Sequence, residues 1–157
     1  MKYSFATEDN QPEIKQLLSD CDLIHEDITA SQLKDFLLGW DGPRLVAGIG
    51  LEIKNQNALL RSLAVDADYR NRKIATSLVG KIEDYAKSLK VDTLYLLTLT
   101  AEAFFQKCGY QRTARDSAPA GIQETSEFQN LCPESAVCMV KHLDMNLTQR
   151  IDQEKQP

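Results

Sequence analysis

Basic charge is scarce in this chain: 18 lysines and arginines stand against 23 aspartates and glutamates, a net charge of −5. Nucleic-acid binders carry a basic footprint that neutralises phosphates, so this balance points away from DNA and RNA as partners. Long apolar runs are missing as well. The start, MKYSFATEDN, turns polar at once, and no stretch approaches the roughly 20 apolar residues that cross a bilayer. A cytoplasmic chain without a membrane partner is expected. Cysteine is thin and scattered. Cys21, Cys108, Cys132 and Cys138 form no Cys-x-x-Cys pair, and no histidine lies at zinc-ligand spacing from them. Neither a disulfide framework nor a metal site is expected. Internal repeats and low-complexity linkers are absent too. With 157 residues, 43% of them hydrophobic and 26% charged, the chain suits one domain with a substantial core. That domain is expected over residues 1–143, followed by a polar, frayed tail over 144–157.

What the sequence does have is periodicity. KYSFAT reads as a first strand. DNQPEIKQLLSD follows as a helix, with Asn10 as cap, Pro12 in the first turn and Glu13 completing a capping box. Its buried stripe is Ile14, Leu17 and Leu18. Thr29 and Gln32 form a second capping-box pair and predict another helix, which buries Leu33, Phe36 and Leu37. The period then shortens to two. DGPR is a turn, LVAGIGLEI a strand, KNQN a turn and ALLRSLAV a strand, which together predict an antiparallel meander. A helix from about Ile74 to Leu89 aligns Ile74, Leu78, Ile82, Tyr85 and Leu89 on one face. DTLYLLTL, apolar throughout, predicts a central strand covered on both sides, parallel to ALLRSLAV across a right-handed crossover. AEAFFQKCG is a short helix ended by Gly109, YQRTA a strand, IQETSEFQNL a helix and SAVCMVKHL a last strand. These elements make an α/β three-layer domain with a mixed sheet.

The stretch from Arg70 to Thr76, between strand and helix, raises a chemical question. Phosphate loops bind through backbone N–H groups, helped by the positive end of the helix dipole. Arg70, Arg72 and Lys73 add cationic charge, Ala75 and Thr76 are small, and the Thr76 hydroxyl can donate. The other reading is a solvated basic edge, which would sit at the wrong end of that helix for its dipole. The loop alone leaves both open.

Its surroundings carry a resemblance. LRSLAVDADYRNRKIATSLV resembles the acetyl-CoA-binding motif of the GCN5-related N-acetyltransferase (GNAT) superfamily. There a strand ending in a small residue and valine leads to Arg/Gln-x-x-Gly-x-Gly/Ala at the start of a long helix. LAV supplies the strand end, Arg70 the first motif position and Ala75 the last, while Lys73 replaces the usual glycine. AEAFFQKCGYQRTAR is similar to the family's later helix, turn and strand. ALLRSLAV, LYLLTLTAEAFF and LCPESAVCMVK look most like acetyltransferases encoded beside arsenic-resistance genes. The resemblance runs from the first strand to Leu143. It implies a three-layer α/β/α fold whose mixed, mostly antiparallel sheet is splayed at two parallel strands. It also implies acetyl-CoA as co-substrate without a metal, and acetyl transfer to the primary amine of a small molecule. The arsenic-linked subgroup adds an amino-acid-like arsenical or phosphinate as acceptor.

Residue by residue, the resemblance sets the pantetheine arm along Leu63, Ala64 and Val65, with the Leu63 N–H polarising the thioester carbonyl. It sets the pyrophosphate on amides from Asn71 to Thr76, flanked by Arg70, Arg72, Lys73 and Ala75, and it sends Lys107 toward the nucleotide. Phe105 falls where the family often has a proton-donating tyrosine. A donor to the leaving thiolate would then be Thr98, Thr100, Cys108 or water, although the threonines equally suit bonds to backbone. Glu52 is either the general base or an exposed strand-end charge. Arg61 and Ser62, adjacent on a strand, should face opposite ways. Arg61 either pairs with a carboxylate such as Glu52 or clamps an anionic substrate, with Ser62 and Thr98 at the same acceptor site.

A rival from another class is a non-catalytic domain that binds CoA or an arsenical through Cys132 and Cys138, against which stands plain packing of small thiols. His25 lies in a loop, either covering substrate or merely solvated, and Phe36 and Trp40 belong to the core or to the cleft rim. Exposed strands on the C-terminal side suggest a homodimer.

Overall fold

The computed structural model describes residues 1–143, so the expected frayed tail lies outside the described residues. Seven strands form one sheet: β1 (Lys2–Phe5), β2 (Phe36–Asp41), β3 (Arg44–Lys54), β4 (Asn57–Val65), β5 (Thr93–Thr98), β6 (Gln111–Arg112) and β7 (Val137–His142). Their spatial order is β1-β2-β3-β4-β5-β7-β6. Every neighbouring pair is antiparallel except β4 and β5, which run parallel. Helices α1 (Gln11–Asp20), α2 (Ile74–Ser88), α3 (Glu102–Lys107) and α4 (Ala120–Gln123) complete the α/β domain.

The expected second helix is shorter than the pattern suggests and gives way to a strand at Phe36. Thr29 does open a helical segment, and its N–H donates to Gln32 Oε1 at 3.0 Å. That segment is a 3-10 stretch, Ala30–Asp35, after which Phe36 enters β2. The sequence hid this strand because Phe36, Leu37 and Leu38 are all buried. Leu37 packs on one face of the sheet with α2, while Phe36 and Leu38 pack on the other with α1. Burial on both faces erases the alternation that would mark a strand. Opposite Phe36 stands Gly50, where a Cβ would come within 2.5 Å of the phenylalanine ring.

Smaller corrections follow the same chemistry. Asn10 makes no side-chain cap to α1. Its carboxamide oxygen instead accepts from the Thr7 N–H at 2.8 Å, one turn earlier. IQETSEFQNL is not one helix but α4 followed by a π-helical turn over Glu127–Leu131. Within α2 the buried face holds Ile74, Leu78 and Ile82 as expected, yet Leu89 beyond its end is 45% exposed. The buried face includes Glu83, which accepts from the Tyr110 hydroxyl at 2.9 Å and from Lys141 Nζ at 3.0 Å.

Alternation along the central strands sorts the core into two sides. Leu60, Leu94 and Leu96 pack with α2 and α3, while Leu59, Tyr95 and Leu97 pack with Ile122 of α4. Each side buries apolar area that no element could bury alone, which is what holds three layers together.

Two irregularities in the middle of the sheet position the site. The parallel pairing of β4 with β5 stops after Leu59 and Tyr95. Beyond them β4 stays paired with β3 to Val65, and β5 with β7 to Thr98, so the two halves of the sheet diverge. Within β4, Arg61 pairs with Gly50 but Ala64 pairs with Gly48, which leaves Ser62 and Leu63 opposite Ile49 alone. This is a β-bulge, and Ser62 takes it up with φ +61. The strict alternation expected of Arg61 and Ser62 therefore fails. Arg61 Nε donates to Ser62 Oγ at 3.0 Å, so both side chains meet on one side.

Candidate active site

Where β4 and β5 part, a cleft of about 670 Å³ opens. Leu60 to Leu63 form one wall, Leu96 to Ala101 the other, and Phe105 contributes between them. At the Val65 end of β4 the cleft reaches Cys21 and Arg70, and at the Arg61 end it reaches Glu127 and Cys132. Its two ends differ in chemistry.

At the Val65 end the chain turns through Arg70–Lys73 into α2. Asn71 and Lys73 both have positive φ, +65 and +61, on either side of Arg72. This alternation belongs to backbone that curls its N–H groups toward one centre. Lys73 is the N-cap of α2, without a side-chain cap bond, and no acid sits in the first turn. The first-turn amides are thus left without a side-chain acceptor, which suits an anion. Lys73 occupies the motif's glycine position in a left-handed conformation that disfavours any side chain by about 1–2 kcal/mol. The cationic rim expected here is partly tethered. Arg70 Nε donates to the Val65 carbonyl at 3.1 Å, and Arg72 stacks over the Tyr69 ring at 5.0 Å. The Tyr69 hydroxyl donates to Asp41 Oδ2, which raises its pKa. Lys73 and Thr76 are exposed, Ala75 is half-buried, and Lys107 is exposed on α3 away from the cleft lining.

Of the three residues assigned to the pantetheine arm, Leu63 lines the cleft. Ala64 is buried among the α1 side of the core. The Val65 carbonyl already accepts from Arg70 and from the Cys21 thiol, the latter at 3.7 Å. On the opposite wall Thr98 Oγ1 accepts from the Ala101 N–H at 3.0 Å, and its own hydroxyl proton stays free to donate. Thr100 lines the same wall, whereas Cys108 does not reach the cleft. Phe105, at the family's tyrosine position, is buried against Tyr110 with centroids 5.6 Å apart and has no proton to give. Phe36 belongs to the core, while Trp40 sits at its margin and donates to Ser4 Oγ at 3.1 Å.

The Arg61 end is an ionic cluster. Arg61 Nη1 donates to Asp27 Oδ2 at 2.5 Å and to Glu52 Oε1 at 2.6 Å, and Nη2 donates to Asp27 Oδ1 at 2.8 Å. Glu127 Oε2 lies 3.2 Å from Nε, and the Ile24 carbonyl accepts from Nη2 at 3.5 Å. The pairing alternative is therefore what this arginine does, and its N–H groups are taken by protein acceptors. The clamp for an anionic substrate is dropped for that reason. Glu52 is held in this cluster by Arg61 and does not line the cleft.

Glu127 lines the cleft in its place. Burial raises the pKa of its carboxyl; Arg61 pulls it back, and Asp27 and Glu52 push it further up. Asp27 goes the other way, since its Arg61 bonds outweigh its desolvation. The Cys132 thiol donates to Glu127 Oε1 at 3.6 Å, and burial next to that carboxylate pushes its pKa up to about 12. Cys138 is buried and pushed up to about 11 by burial. The loop carrying Glu127 is fastened by Arg115, which donates to the carbonyls of Glu127, Phe128, Cys132 and Pro133. In the sequence Glu127 falls within IQETSEFQNL, which reads as a helix. Its partner Arg61 lies far away in the chain, so no local signal marked it. The apolar burial of its neighbour Phe128 was the nearest clue.

The loop, the splay and the cleft define a transferase of one class: the acetyltransferase (GNAT) family model matches residues 3–110, and the chain belongs to that family. The fold is shared with N-acetylglutamate synthase from Neisseria gonorrhoeae, complexed with coenzyme A and L-arginine, at TM-score 0.77 and 18% identity. That match covers 90% of this chain but 33% of the synthase, so the chain spans about a third of that protein's length. Rv2747 from Mycobacterium tuberculosis, in complex with CoA and NLQ, matches at TM-score 0.75 and 18% identity over 92% of this chain and all of that one. The ribosomal-protein-S18-alanine N-acetyltransferase from Escherichia coli matches at TM-score 0.68 and 18% identity, covering 92% of this chain and 95% of its own.

Proposed function

We propose that this chain is an acetyl-CoA-dependent N-acetyltransferase that acts on the primary amine of a small molecule, with residues 1–143 as its one catalytic domain. The observation that carries the reading is the cleft itself. It runs from Arg70, which precedes the uncapped start of α2 in the chain, to a buried carboxylate at the splay of β4 and β5. CoA in the Neisseria and Mycobacterium structures of this fold supports the choice of cofactor.

The diphosphate of the cofactor rests on amides from Asn71 to Thr76, where Arg70, Arg72 and Lys73 add positive potential. Acetyl-CoA brings the thioester. The Leu63 N–H polarises its carbonyl, and the Ser62 bulge turns that part of β4 out of register toward the gap. An acceptor amine reaches the site largely protonated and must lose a proton before it attacks. Glu127 takes it, in the role first expected of Glu52. Thr98 and Thr100 are the hydroxyls near the leaving thiolate, since Phe105 offers none.

The amino-acid-like arsenical or phosphinate acceptor rests on the sequence resemblance alone. Its structural argument was a free Arg61, which the carboxylates occupy. The thiol-based rival is likewise weakened. Cys132 and Cys138 hold their protons more tightly than ordinary thiols, whereas arsenic ligation needs thiolates. A cytoplasmic setting is part of the same proposal and rests on the scattered cysteines of the sequence. A homodimer belongs to the same proposal, supported by a β7 edge that the two residues of β6 cover only in part. Light scattering of the purified chain checks it.

The activity is tested with full-length protein, acetyl-CoA and a panel of small amines, with released CoA followed by a thiol reagent. Turnover of at least one amine is expected. Binding of acetyl-CoA with no CoA released for any acceptor would instead favour a non-catalytic domain.

A further inference from the structure

We propose that the acceptor is an aliphatic primary ammonium ion without a carboxylate close to its reactive nitrogen, received at the Arg61 end of the cleft by Glu127. This rests on the acetyltransferase reading and names its substrate class. The cleft supplies the site, and the charges around it supply the selectivity.

One guanidinium there pairs with the carboxylates of Asp27, Glu52 and Glu127, a formal excess of two negative charges within the paired cluster, while Lys15 acts on Asp27 from outside it. None of these side chains is more than 10% exposed, and that of Arg61 is 1% exposed. Uncompensated charge is expensive where water is excluded, so the cluster is short of a cation. An incoming ammonium supplies it. An incoming carboxylate adds to the excess and finds hydroxyl donors such as Thr98 but no free guanidinium. The five N–H groups of Arg61 are taken up by Asp27, Glu52, Ile24, Ser62 and Glu127. Arg115 is committed to four backbone carbonyls, and Arg70 is held at the far end by Val65. Leu23, Ile24, Leu60 and Pro133 line the cleft and suit an aliphatic tail.

The same arrangement fits the proton traffic. An ammonium next to Glu127 offsets the push of Asp27 and Glu52 and favours its ionised form. The ammonium then passes one proton to the Glu127 carboxylate. The freed lone pair forms the N–C bond with the acetyl carbon, and the C–S bond breaks with its electron pair on sulfur. A second proton leaves nitrogen for that sulfur, and Glu127 returns the first to water. The products are the N-alkylacetamide and CoA.

The experiment compares 1-aminopropane with 3-aminopropanoate, amines of similar length and basicity, and adds L-glutamate. It uses the full chain at saturating acetyl-CoA and follows CoA release. The kcat/KM for 1-aminopropane should exceed those for both carboxylate-bearing amines by at least about tenfold, and Glu127→Gln should shrink that ratio toward one. Equal or better use of 3-aminopropanoate or glutamate would overturn the proposal. If no probe is turned over, calorimetric titration of the protein–acetyl-CoA complex decides. Tighter binding of 1-aminopropane supports the cationic class, and equal or absent binding of both overturns it while cofactor binding persists. Failure to bind acetyl-CoA itself would be a different result, removing the enzymatic reading on which this inference stands.

Discussion

The two ends of the cleft handle charge in opposite ways. Just past the Arg70 end, at the start of α2, cations and open amides are displayed on exposed backbone, with Asn71, Arg72 and Lys73 all reaching water. At the Arg61 end, four charged side chains are buried together and brought from a loop, β3, β4 and the π-helical turn. The first arrangement is local, screened by salt and tolerant of single changes. The second is desolvated, and each member holds the others in place. A surface that tolerates change thus adjoins a buried cluster that does not.

The hardest test of that contrast is Arg61→Ala. It leaves three buried carboxylates without their cation and should destabilise the fold by about 3–5 kcal/mol in urea unfolding. A loss under about 1 kcal/mol would place this cluster in the same exposed regime as the α2 loop. Glu127→Gln is isosteric and should leave acetyl-CoA affinity alone while lowering kcat by roughly 10²–10⁴, the range for a general base. An unchanged kcat would return the proton to water or to Glu52.

The pH dependence sharpens the comparison further. Burial raises the Glu127 pKa from its ordinary value, so the folded protein binds this proton more tightly than the unfolded chain does. Its contribution to stability is present at low pH and is lost as pH rises through the raised value. Asp27, lowered by Arg61, acts in reverse, and its contribution disappears as pH falls. Subtracting the stability curve of Glu127→Gln from that of wild type should therefore give a difference that falls with rising pH. A difference flat across the acid range would contradict the burial account. The smallest effect belongs to the exposed end. Lys73→Gly relieves a left-handed lysine but adds freedom to the unfolded chain, for a net gain of up to about 1 kcal/mol in chemical denaturation. Acetyl-CoA affinity should hold within a few-fold.

The same split between local and assembled features governs what the sequence disclosed. The β3–β4 meander and the α2 helix each lie within a few turns of chain, and their periodicity states them directly, whereas the Arg70–Thr76 loop by itself left an anion site and a solvated basic edge both open. The parallel strand pair was legible too, because an all-apolar run after an amphipathic helix has few other uses. β2 escaped because burial on both faces removed its alternation, and a capping box at Thr29 spoke for a helix that lasts only to Asp35. The bulge at Ser62 escaped because nothing in Arg-Ser-Leu announces a positive φ. Glu127 was the largest omission, since its meaning depends on Arg61, a β4 residue far from it in the chain.

The central claim is that open main-chain amides at the start of α2 hold the cofactor's diphosphate, and Ala75→Glu tests it most directly. A carboxylate in the first turn favours an isolated helix through the macrodipole, so melting temperature should hold or rise. The same carboxylate would compete with and repel a diphosphate. Isothermal titration of acetyl-CoA should show at least about a tenfold weaker Kd in this folded variant. Wild-type affinity in Ala75→Glu would mean that the diphosphate binds elsewhere.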